Sequence, residues 1–194
     1  MIYNVMNTGK YKIILASNSP RRRELLAGLD VPFEVKVLPG VDESYPEGLP
    51  TEEIPRYIAC EKASAYQVVE GELLITADTV VVLGDEVLGK PADAADAARM
   101  LHRLSGKTHR VITGVALTTA KDQRAFHVTT EVTFKTFTEE EIDYYVSHYS
   151  PLDKAGAYGI QEWIGYIGVV KLRGSFFNVM GLPVQRIYEE MQTM

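Results

Sequence analysis

Only one cysteine, Cys60, occurs in the 194 residues of this sequence, which excludes an internal disulfide and fits a reducing compartment. No apolar stretch is long enough to span a bilayer, and residues 1–12 lack the apolar core of a secretion signal, so we expect a cytoplasmic protein. Positive charge is not in excess either. The formal net charge is −6, which argues against a nucleic-acid binder, because such proteins present a basic surface to the phosphate backbone.

Several common catalytic signatures are also absent. The sequence has neither the G-x-x-x-x-G-K-[ST] phosphate loop nor the G-x-G-x-x-G fingerprint, so kinase, GTPase and dehydrogenase functions lack their usual chemistry. The four histidines, His102, His109, His127 and His148, do not occur at the spacing of a zinc site. An acidic protein of this kind can still bind a small polyanion if its arginines and lysines converge on one place.

Strand-like and helix-like segments follow one another along the chain, and 46% of the residues are hydrophobic, which is ordinary for a globular core. We therefore predict a mixed α/β (α+β) fold, with a flexible tail over residues 1–12 and a single domain over residues 13–194. The predicted strands cover residues 13–16, 33–38, 73–83, 87–88, 111–119 and 126–134, and a hairpin is predicted from residues 166–172 and 176–180. The predicted helices begin at Pro20, Thr51, Asp93, Thr138 and Pro183, the second running as far as Val69.

Three consecutive arginines stand at the start of the first predicted helix. Ser19 and Pro20 form a strong helix start, and Arg21, Arg22 and Arg23 fall in the first turn. Cations there lie at the positive end of the helix dipole, and each typically destabilises the helix by some tenths of a kcal/mol. A bound anion would reverse that sign, because free backbone N–H groups and guanidinium groups both donate to phosphate oxygens. The pattern therefore favours a phosphate site over a solvated basic patch.

Asp78 interrupts an otherwise apolar strand. A carboxylate in such a strand must be paired, hydrogen-bonded or metal-bound. A structural salt bridge is the ordinary explanation for a buried Asp. Here the polar pair Asp78-Thr79 could instead reach a cleft, which makes Asp78 a candidate base or metal ligand.

Three further segments are unusual for structure alone. Lys90 lies between Gly89 and Pro91 directly after a strand, and Lys62 lies near the apolar stripe of its helix, although a lone lysine there often extends to solvent. The two glycines of residues 153–161 suggest tight turns or close approach to a ligand, although the segment could be an ordinary loop.

These features, taken in order, resemble the Maf family. The matching motifs are Leu15-Ala16-Ser17-Asn18-Ser19-Pro20-Arg21-Arg22 with Glu24-Leu25-Leu26, Glu61-Lys62-Ala63, Ala77-Asp78-Thr79-Val80, Leu88-Gly89-Lys90-Pro91, Leu104-Ser105-Gly106-Lys107-Thr108, Asp153-Lys154-Ala155-Gly156-Ala157-Tyr158-Gly159-Ile160-Gln161 and Gly181-Leu182-Pro183. Each motif is weak by itself, but their ordered combination is specific and covers essentially everything after the tail.

The resemblance implies a Maf/ITPase-like fold, with a mixed twisted sheet, flanking helices and a deep cleft between two lobes. It implies a nucleoside triphosphate pyrophosphatase that uses a divalent metal ion, Mg²⁺ first, with Mn²⁺ or Co²⁺ as alternatives. By analogy, Asp78 would be the proton acceptor and, with Glu43, a metal ligand, while Arg21, Arg22, Lys62 and Lys90 would hold the triphosphate. The family resemblance is also compatible with a homodimer, while the net charge and the lack of a long apolar stretch predict no nucleic-acid or membrane partner.

The resemblance extends to a subgroup. The branch that cleaves dTTP and UTP resembles this chain at Arg21, Thr79 and Gln161, where a branch acting on methylated GTP tends to carry Trp, Gln and Glu. The Gln161 amide offers a donor and an acceptor to the imide edge of uracil or thymine. The alternatives are a pyrophosphatase for 7-methyl-GTP or another modified nucleotide, and a nucleotide-binding regulator of cell division without turnover.

Overall fold

The structure, a computed structural model, describes residues 10–194; most of the predicted tail, residues 1–9, therefore lies outside the described residues. Within residues 10–194 the strands are β1 (Lys12–Leu15), β2 (Phe33–Val35), β3 (Glu72–Leu83), β4 (Glu86–Leu88), β5 (Thr108–Thr118), β6 (Gln123–Phe134) and β7 (Val169–Arg173). The helices are α1 (Pro20–Ala27), α2 (Ile54–Ser64), α3 (Ala94–Leu104), α4 (Glu139–Tyr149), α5 (Trp163–Gly168), α6 (Phe176–Met180) and α7 (Val184–Gln192), with short 3₁₀ turns at Pro151–Asp153 and Ala155–Ala157. None of the helices in this part of the chain is long and apolar enough to cross a membrane.

The strands form one mixed sheet in the order β2-β1-β3-β5-β6-β7, with β4 paired to β3 off this path. Strand β1 runs parallel to both β2 and β3, whereas β4 is antiparallel to β3 and β7 is antiparallel to β6. The long strand β3 is buried over most of its length, as its apolar sequence predicts. The prediction of a mixed α/β fold is confirmed.

The chain divides into two compact units. Among the described residues, unit 1 contains residues 10–78, 113–128 and 181–194, and unit 2 contains residues 79–112 and 129–180. In unit 1, part of the core is an apolar cluster in which the buried residues are Ile14, Ala59, Ala63, Leu74 and Ala116. In unit 2, a larger cluster joins α3 and α4 to strand residues that include Val111, Val132 and Phe134. A single domain over residues 13–194 and a cleft between lobes stay predictions.

Local capping signals fix several helix ends. Ser19 caps α1 by accepting from the Arg22 backbone N–H, and Asp93 caps α3 by accepting from the Asp96 N–H at 2.7 Å. Thr138 and Glu141 form the reciprocal capping box at the start of α4. These three helix starts confirm the predictions from sequence.

Two predictions of secondary structure are wrong. The hairpin predicted from residues 166–172 and 176–180 is absent: only Val169–Arg173 is a strand, β7, and it pairs with β6, while Phe176–Met180 is the helix α6. Helix α6 places Asn178 inside unit 2, where its side-chain amide donates to the Val111 carbonyl at 3.1 Å. The second predicted helix ends at Ser64 rather than at Val69, which is 52% exposed.

Candidate active site

In unit 1, Asp78 follows a run of fully buried residues of β3. Thr76 is completely buried, and its hydroxyl donates to the Ala59 carbonyl of α2 at 2.7 Å, so β3 and α2 are held together directly beside Asp78. The Asp78 side chain is 15% exposed. A carboxylate in this position requires a partner, and α2 supplies one.

Lys62 provides that partner. Helix α2 buries Ile58, Ala59 and Ala63 on one face, and Lys62 stands at the edge of this face with its side chain only 14% exposed. Its ammonium nitrogen lies 2.9 Å from Asp78 Oδ1 and 2.8 Å from Glu43 Oε1. One lysine therefore joins two carboxylates that are 35 positions apart in the sequence, and we call Glu43, Lys62 and Asp78 the acid–lysine cluster.

Arg22 of α1 reaches the same part of β3. Its Nη1 donates to the Ala77 carbonyl at 2.9 Å and its Nε donates to the Gly181 carbonyl at 2.8 Å. Lys62 Nζ lies 3.4 Å from the same Ala77 oxygen, so the two cations meet at the residue before Asp78. Burial lowers the pKa of the Arg22 guanidinium, and the negative charge of Asp78 opposes this shift most strongly.

Arg21 precedes Arg22 on α1 and is also partly buried. Burial lowers the pKa of Arg22 most, and the positive charge of Arg21 lowers it further. The Arg23 side chain is exposed instead, with Nη2 lying 3.4 Å from Asn18 Oδ1. Of the three arginines, Arg22 is the one whose side chain bonds the residue before Asp78 and is influenced by the charge of Asp78.

Glu43 lies in the loop between β2 and α2. At the start of this loop, the Tyr66 hydroxyl accepts from the Leu38 N–H at 3.0 Å and donates to the Lys36 carbonyl at 3.1 Å. Next to Glu43, the Asp42 carboxylate accepts from the Ser44 N–H at 2.9 Å. The hydrogen bonds from Ser44 lower the pKa of the Asp42 carboxyl and fix a local turn around Glu43.

A divalent metal ion can be tested against these residues. Among residues 10–194 no three His, Cys, Asp or Glu side chains form a group that could hold a metal ion by themselves. Glu43 and Asp78 nevertheless place two carboxylates around a single cationic group. Mg²⁺ typically takes one or two carboxylates and completes its shell with water and substrate phosphates, so this donor set fits the implied metal.

In unit 2, the segment of Lys90 is joined to the glycine-rich motif of residues 153–161. The Gly156 N–H donates to the Gly89 carbonyl at 3.0 Å, directly before the exposed Lys90. Gly156 has φ +68, and a Cβ there would lie 2.9 Å from the Val81 side chain. A glycine is therefore required here by the positive φ and by close packing against Val81, whereas the sequence had indicated a tight turn or the approach of a ligand.

Gln161 and Thr79 also belong to unit 2. Thr79 follows Asp78 in β3 and is half-buried. The Gln161 side-chain oxygen is buried and has no hydrogen-bond partner among the described residues. Since buried acceptors are nearly always bonded in native proteins, this oxygen is a candidate for a bond to a ligand.

The sequence did not identify several residues that organise these sites. Gly181 was noted only as part of a motif, yet its carbonyl binds Arg22. In unit 2, Tyr145 belongs to none of the sequence motifs, but its hydroxyl contacts Gly159 and Glu162. The partners in these bonds are 159, 14 and 17 residues apart, so no local pattern could have indicated them.

The comparisons with known proteins are consistent over nearly the whole chain. The family model described as Maf-like protein matches residues 12–194. A protein of Phocaeicola vulgatus named dTTP/UTP pyrophosphatase is 62% identical over 190 residues, covering 97% of this chain and 98% of that relative. Proteins with the same name from Bacteroides fragilis and Porphyromonas gingivalis are 58% and 54% identical, with coverage of 97% and 96% of this chain and 98% and 96% of theirs.

Among solved structures, a HAM1 protein from Coxiella burnetii matches with a TM-score of 0.41 and 18% identity, covering 64% of this chain and 73% of that one. A similarity this remote carries no argument about the site.

Proposed function

Because this chain belongs to the Maf family, whose model spans residues 12–194, we propose that it hydrolyses dTTP and UTP to the nucleoside monophosphate and pyrophosphate. The relatives that carry this name match 95% or more of the chain, so the proposal concerns the whole protein. Modified pyrimidine nucleotides with the same imide edge would be substrates by the same chemistry.

The observation that carries the proposal is the arrangement around Asp78. Lys62 donates to its carboxylate, and Arg22 donates to the carbonyl of the preceding residue. Two cations, Arg22 and Lys62, thus lie together with two acids, Glu43 and Asp78, in unit 1 of a protein whose net charge is −6. Phosphoryl transfer needs such positioned positive charge beside a group that can accept a proton.

In the proposed reaction, Asp78 is the base. A water molecule attacks the α-phosphorus, and its proton passes to the Asp78 carboxylate. The new bond joins the water oxygen to the α-phosphorus, while the bond from that phosphorus to the oxygen bridging to the β-phosphorus breaks and pyrophosphate leaves. A general base of this kind contributes roughly 10²–10⁴-fold to the rate.

The cations of the chain would hold the triphosphate. Arg21 and Arg22 present guanidinium groups, and Lys62 and Lys90 present ammonium groups. Arg22 is held by two backbone carbonyls, which fixes the direction of its remaining N–H groups. A divalent ion, Mg²⁺ with Mn²⁺ or Co²⁺ as alternatives, would be held by Glu43 and Asp78 and would supply neutralisation of phosphate charge.

Base selection would depend on Arg21, Thr79 and Gln161. The unsatisfied Gln161 oxygen can accept from the N3–H of uracil or thymine, and the amide nitrogen can donate to a neighbouring carbonyl. The single thiol, Cys60, supports placing the reaction in a reducing compartment such as the cytoplasm. A homodimer stays a prediction.

A substrate panel tests the proposal. Purified protein is incubated with dTTP, UTP, CTP, the purine triphosphates and 7-methyl-GTP in the presence of Mg²⁺, and pyrophosphate release is measured. We expect dTTP and UTP to be cleaved fastest. In ¹⁸O-labelled water the label should enter the nucleoside monophosphate, because the attack is on the α-phosphorus.

Three outcomes would contradict parts of the proposal. A preference for 7-methyl-GTP would overturn the pyrimidine specificity, and label in the pyrophosphate would overturn the position of attack. Tight binding of dTTP without any turnover would indicate a regulator instead of an enzyme. The presence of Asp78 beside two cations speaks against a pure binder, which has no need of a base.

A further inference from the structure

A buried hydroxyl in unit 2 lies beside the segment that carries Gln161. Tyr145 of α4 is completely buried, and its hydroxyl accepts from the Gly159 backbone N–H at 3.0 Å. The same hydroxyl donates to the Glu162 carboxylate. One phenol group therefore contacts the chain just before and just after Gln161.

Residues 159–162 form a tight turn. The Glu162 N–H donates to the Gly159 carbonyl at 3.0 Å, which is the bond that closes a β-turn, and Gln161 is the third residue of that turn. Tyr145 binds the first and the last residue of the turn through Gly159 N and Glu162 Oε2. It thereby restrains the two central residues, one of which is Gln161.

The carboxylate of Glu162 is held from its other side as well. Its Oε1 lies 3.3 Å from the ammonium of Lys154, whose side chain is only 9% exposed and which also pairs with Asp153 at 2.7 Å. A Cβ at position 159 would lie 2.8 Å from Glu162 Cδ, so the absence of a side chain at Gly159 allows the carboxylate to pack against the turn. The buried Tyr145 and Lys154 and the partly buried Glu162 form a connected group that we call the turn clamp.

The ionisation of Tyr145 suits this role. Burial raises the pKa of its hydroxyl, and the hydrogen bond to Glu162 raises it further. The phenol therefore stays protonated at neutral pH and always has a proton to donate to the carboxylate. At the same time its lone pair remains free to accept from Gly159.

The turn presents an unsatisfied group. The Gln161 oxygen is buried without a hydrogen-bond partner among residues 10–194, while its neighbours in the turn are bonded. A buried acceptor that lacks a partner is unfavourable unless a ligand provides a donor. The turn clamp fixes the backbone on both sides of Gln161 and so keeps its amide in this unfavourable position.

We propose that Tyr145 and Glu162 are positioning residues for base selection, holding the Gly159–Glu162 turn so that the Gln161 amide meets the imide edge of uracil or thymine. This inference rests on the proposed function, because it deepens the role of Gln161. It assigns no chemical step to Tyr145 or Glu162. Their effect is on the binding of the base, not on the attack at phosphorus.

The test is Tyr145→Phe, which removes the hydroxyl and preserves the ring. We expect the KM for UTP to rise roughly three- to tenfold, the factor that corresponds to one lost hydrogen bond, with kcat nearly unchanged. The preference for UTP over CTP should fall as well, because cytosine lacks the N3–H donor that a well-placed Gln161 oxygen recognises. Glu162→Gln, which can still accept from Tyr145 but loses the pair with Lys154, should give a smaller change in the same direction.

Tyr158→Phe is the matched control. Tyr158 is also buried in unit 2, but its hydroxyl makes its buried hydrogen bond, of 2.7 Å, to His109 and not to Gly159 or Glu162. We expect Tyr158→Phe to lower the melting temperature about as much as Tyr145→Phe while leaving the UTP to CTP preference unchanged. If both variants change the preference equally, the effect is general loosening of unit 2 and the inference is wrong.

A second readout does not depend on activity. The backbone amide of Gly159 should exchange with solvent faster in Tyr145→Phe than in wild type or Tyr158→Phe, as measured by NMR. If the wild-type protein cleaves UTP but Tyr145→Phe changes neither the KM for UTP nor the preference for UTP over CTP, this inference is wrong and the proposed function is unaffected. Wild-type protein that cleaves no pyrimidine triphosphate would remove the proposed function, and the Gly159 exchange rate would then decide whether Tyr145 holds the turn.

Discussion

The ammonium of Lys62 lies 2.9 Å from a carboxylate oxygen of Asp78, so the acid in the buried strand and the lysine of the neighbouring helix form a direct ion pair. A structural salt bridge was the ordinary explanation for Asp78, and the structure contains one. The pair alone therefore does not separate a structural role from a catalytic one. Substitution of each partner in turn separates the two roles, because stability and turnover then change by different amounts.

Asp78→Asn should abolish most of the activity without unfolding the protein. The amide keeps the size of the side chain and its oxygen can still accept from Lys62, but it cannot take a proton from water. We expect kcat for dTTP and UTP to fall roughly 10²–10⁴-fold, measured as pyrophosphate release. Asp85→Asn, in the exposed turn after the same strand, is the control and should retain full activity. Activity that survives Asp78→Asn would remove Asp78 as the base.

Lys62→Met should strengthen the binding of a divalent ion in the absence of nucleotide. The ammonium now lies within 3 Å of both Glu43 and Asp78, where a metal ion would compete with it. Removing a unit charge at such a distance is worth on the order of 1–4 kcal/mol, so we expect Mn²⁺ affinity in calorimetry to rise about tenfold or more. The same variant should bind dTTP more weakly.

The control for Lys62 is Lys12→Met, which removes an exposed ion pair with Glu34 in the same unit. It should leave the Mn²⁺ affinity unchanged, because an exposed ion pair has little effect on stability and the Lys12–Glu34 pair includes no residue of the acid–lysine cluster. Weaker metal binding by Lys62→Met than by Lys12→Met would mean that Glu43 and Asp78 do not share a metal ion.

Arg21→Lys and Arg22→Lys should separate phosphate binding from structure. Arg22 donates to the carbonyls of Ala77 and Gly181 through two different nitrogens, and a single ammonium cannot reproduce both bonds. We expect Arg22→Lys to lower the free energy of unfolding by about 1–3 kcal/mol, whereas Arg23→Lys, at an exposed position of the same helix, should change it by less than about 0.5 kcal/mol. Arg21→Lys and Arg22→Lys should both lower kcat/KM for dTTP. Equal losses of stability for Arg22→Lys and Arg23→Lys in urea unfolding would contradict the anchoring role of Arg22.

Local chemistry in the sequence predicted much of this fold because several elements are specified by their own residues. The Thr138 and Glu141 capping box and the Asp93 cap each appear where the sequence placed them. The hairpin predicted near the C-terminus failed for a long-range reason. A Cβ at Gly168 would lie 2.3 Å from the Phe137 ring, so close packing of α5 against a residue 31 positions earlier in the sequence decides this segment.

The residues of the candidate site also fall into those that a local sequence pattern indicates and those that it does not. Asp78 and the arginines were visible because each violates a local rule, an acid in a buried strand and cations at a helix start. Glu43 and Gln161 violate no such rule, and their roles came only from the family resemblance. Tyr145 could be placed on a buried helix face by periodicity, but its bond to Glu162 depends on how the chain returns 17 residues later.

His109 should make the protein less stable as the pH falls from about 6.5 to about 4. Burial lowers the pKa of this imidazole from 6.5 to about 4, since its ring is enclosed by Phe134 and Tyr158. The unfolded chain therefore binds a proton before the folded one. The contribution of neutral His109 is complete above pH 6.5, shrinks through that window and is gone below pH 4.

A shift of that size corresponds to up to about 3 kcal/mol. The check is urea unfolding of wild type and His109→Gln between pH 4 and 7.5, because the carboxylates common to both proteins cancel in the difference. We expect the stability advantage of wild type to shrink as the pH falls. Parallel curves for the two proteins would show that His109 does not titrate in this way.

Gly114→Ala should strongly destabilise unit 1 and disturb Lys62 at a distance. Gly114 lies in β5 against the first turn of α2, and an added Cβ would stand 2.1 Å from the Arg56 nitrogen and 2.2 Å from the Pro55 carbonyl carbon. These are backbone atoms that cannot rotate away, so the whole of α2 must shift. Overpacking typically costs about 1–3 kcal/mol, and we expect the upper end of that range or more in urea unfolding.

The same shift should reach the active site, because α2 carries Lys62 and the pair with Asp78 depends on a 2.9 Å contact. Activity with dTTP should therefore fall even at a temperature where Gly114→Ala remains folded by circular dichroism. Gly89→Ala is the control for stability, since a Cβ there has no atom within 4 Å and its φ is ordinary. If Gly114→Ala proved as stable as Gly89→Ala, the close approach of β5 to α2 would be wrong, and with it the account of how helix packing sets the position of Lys62.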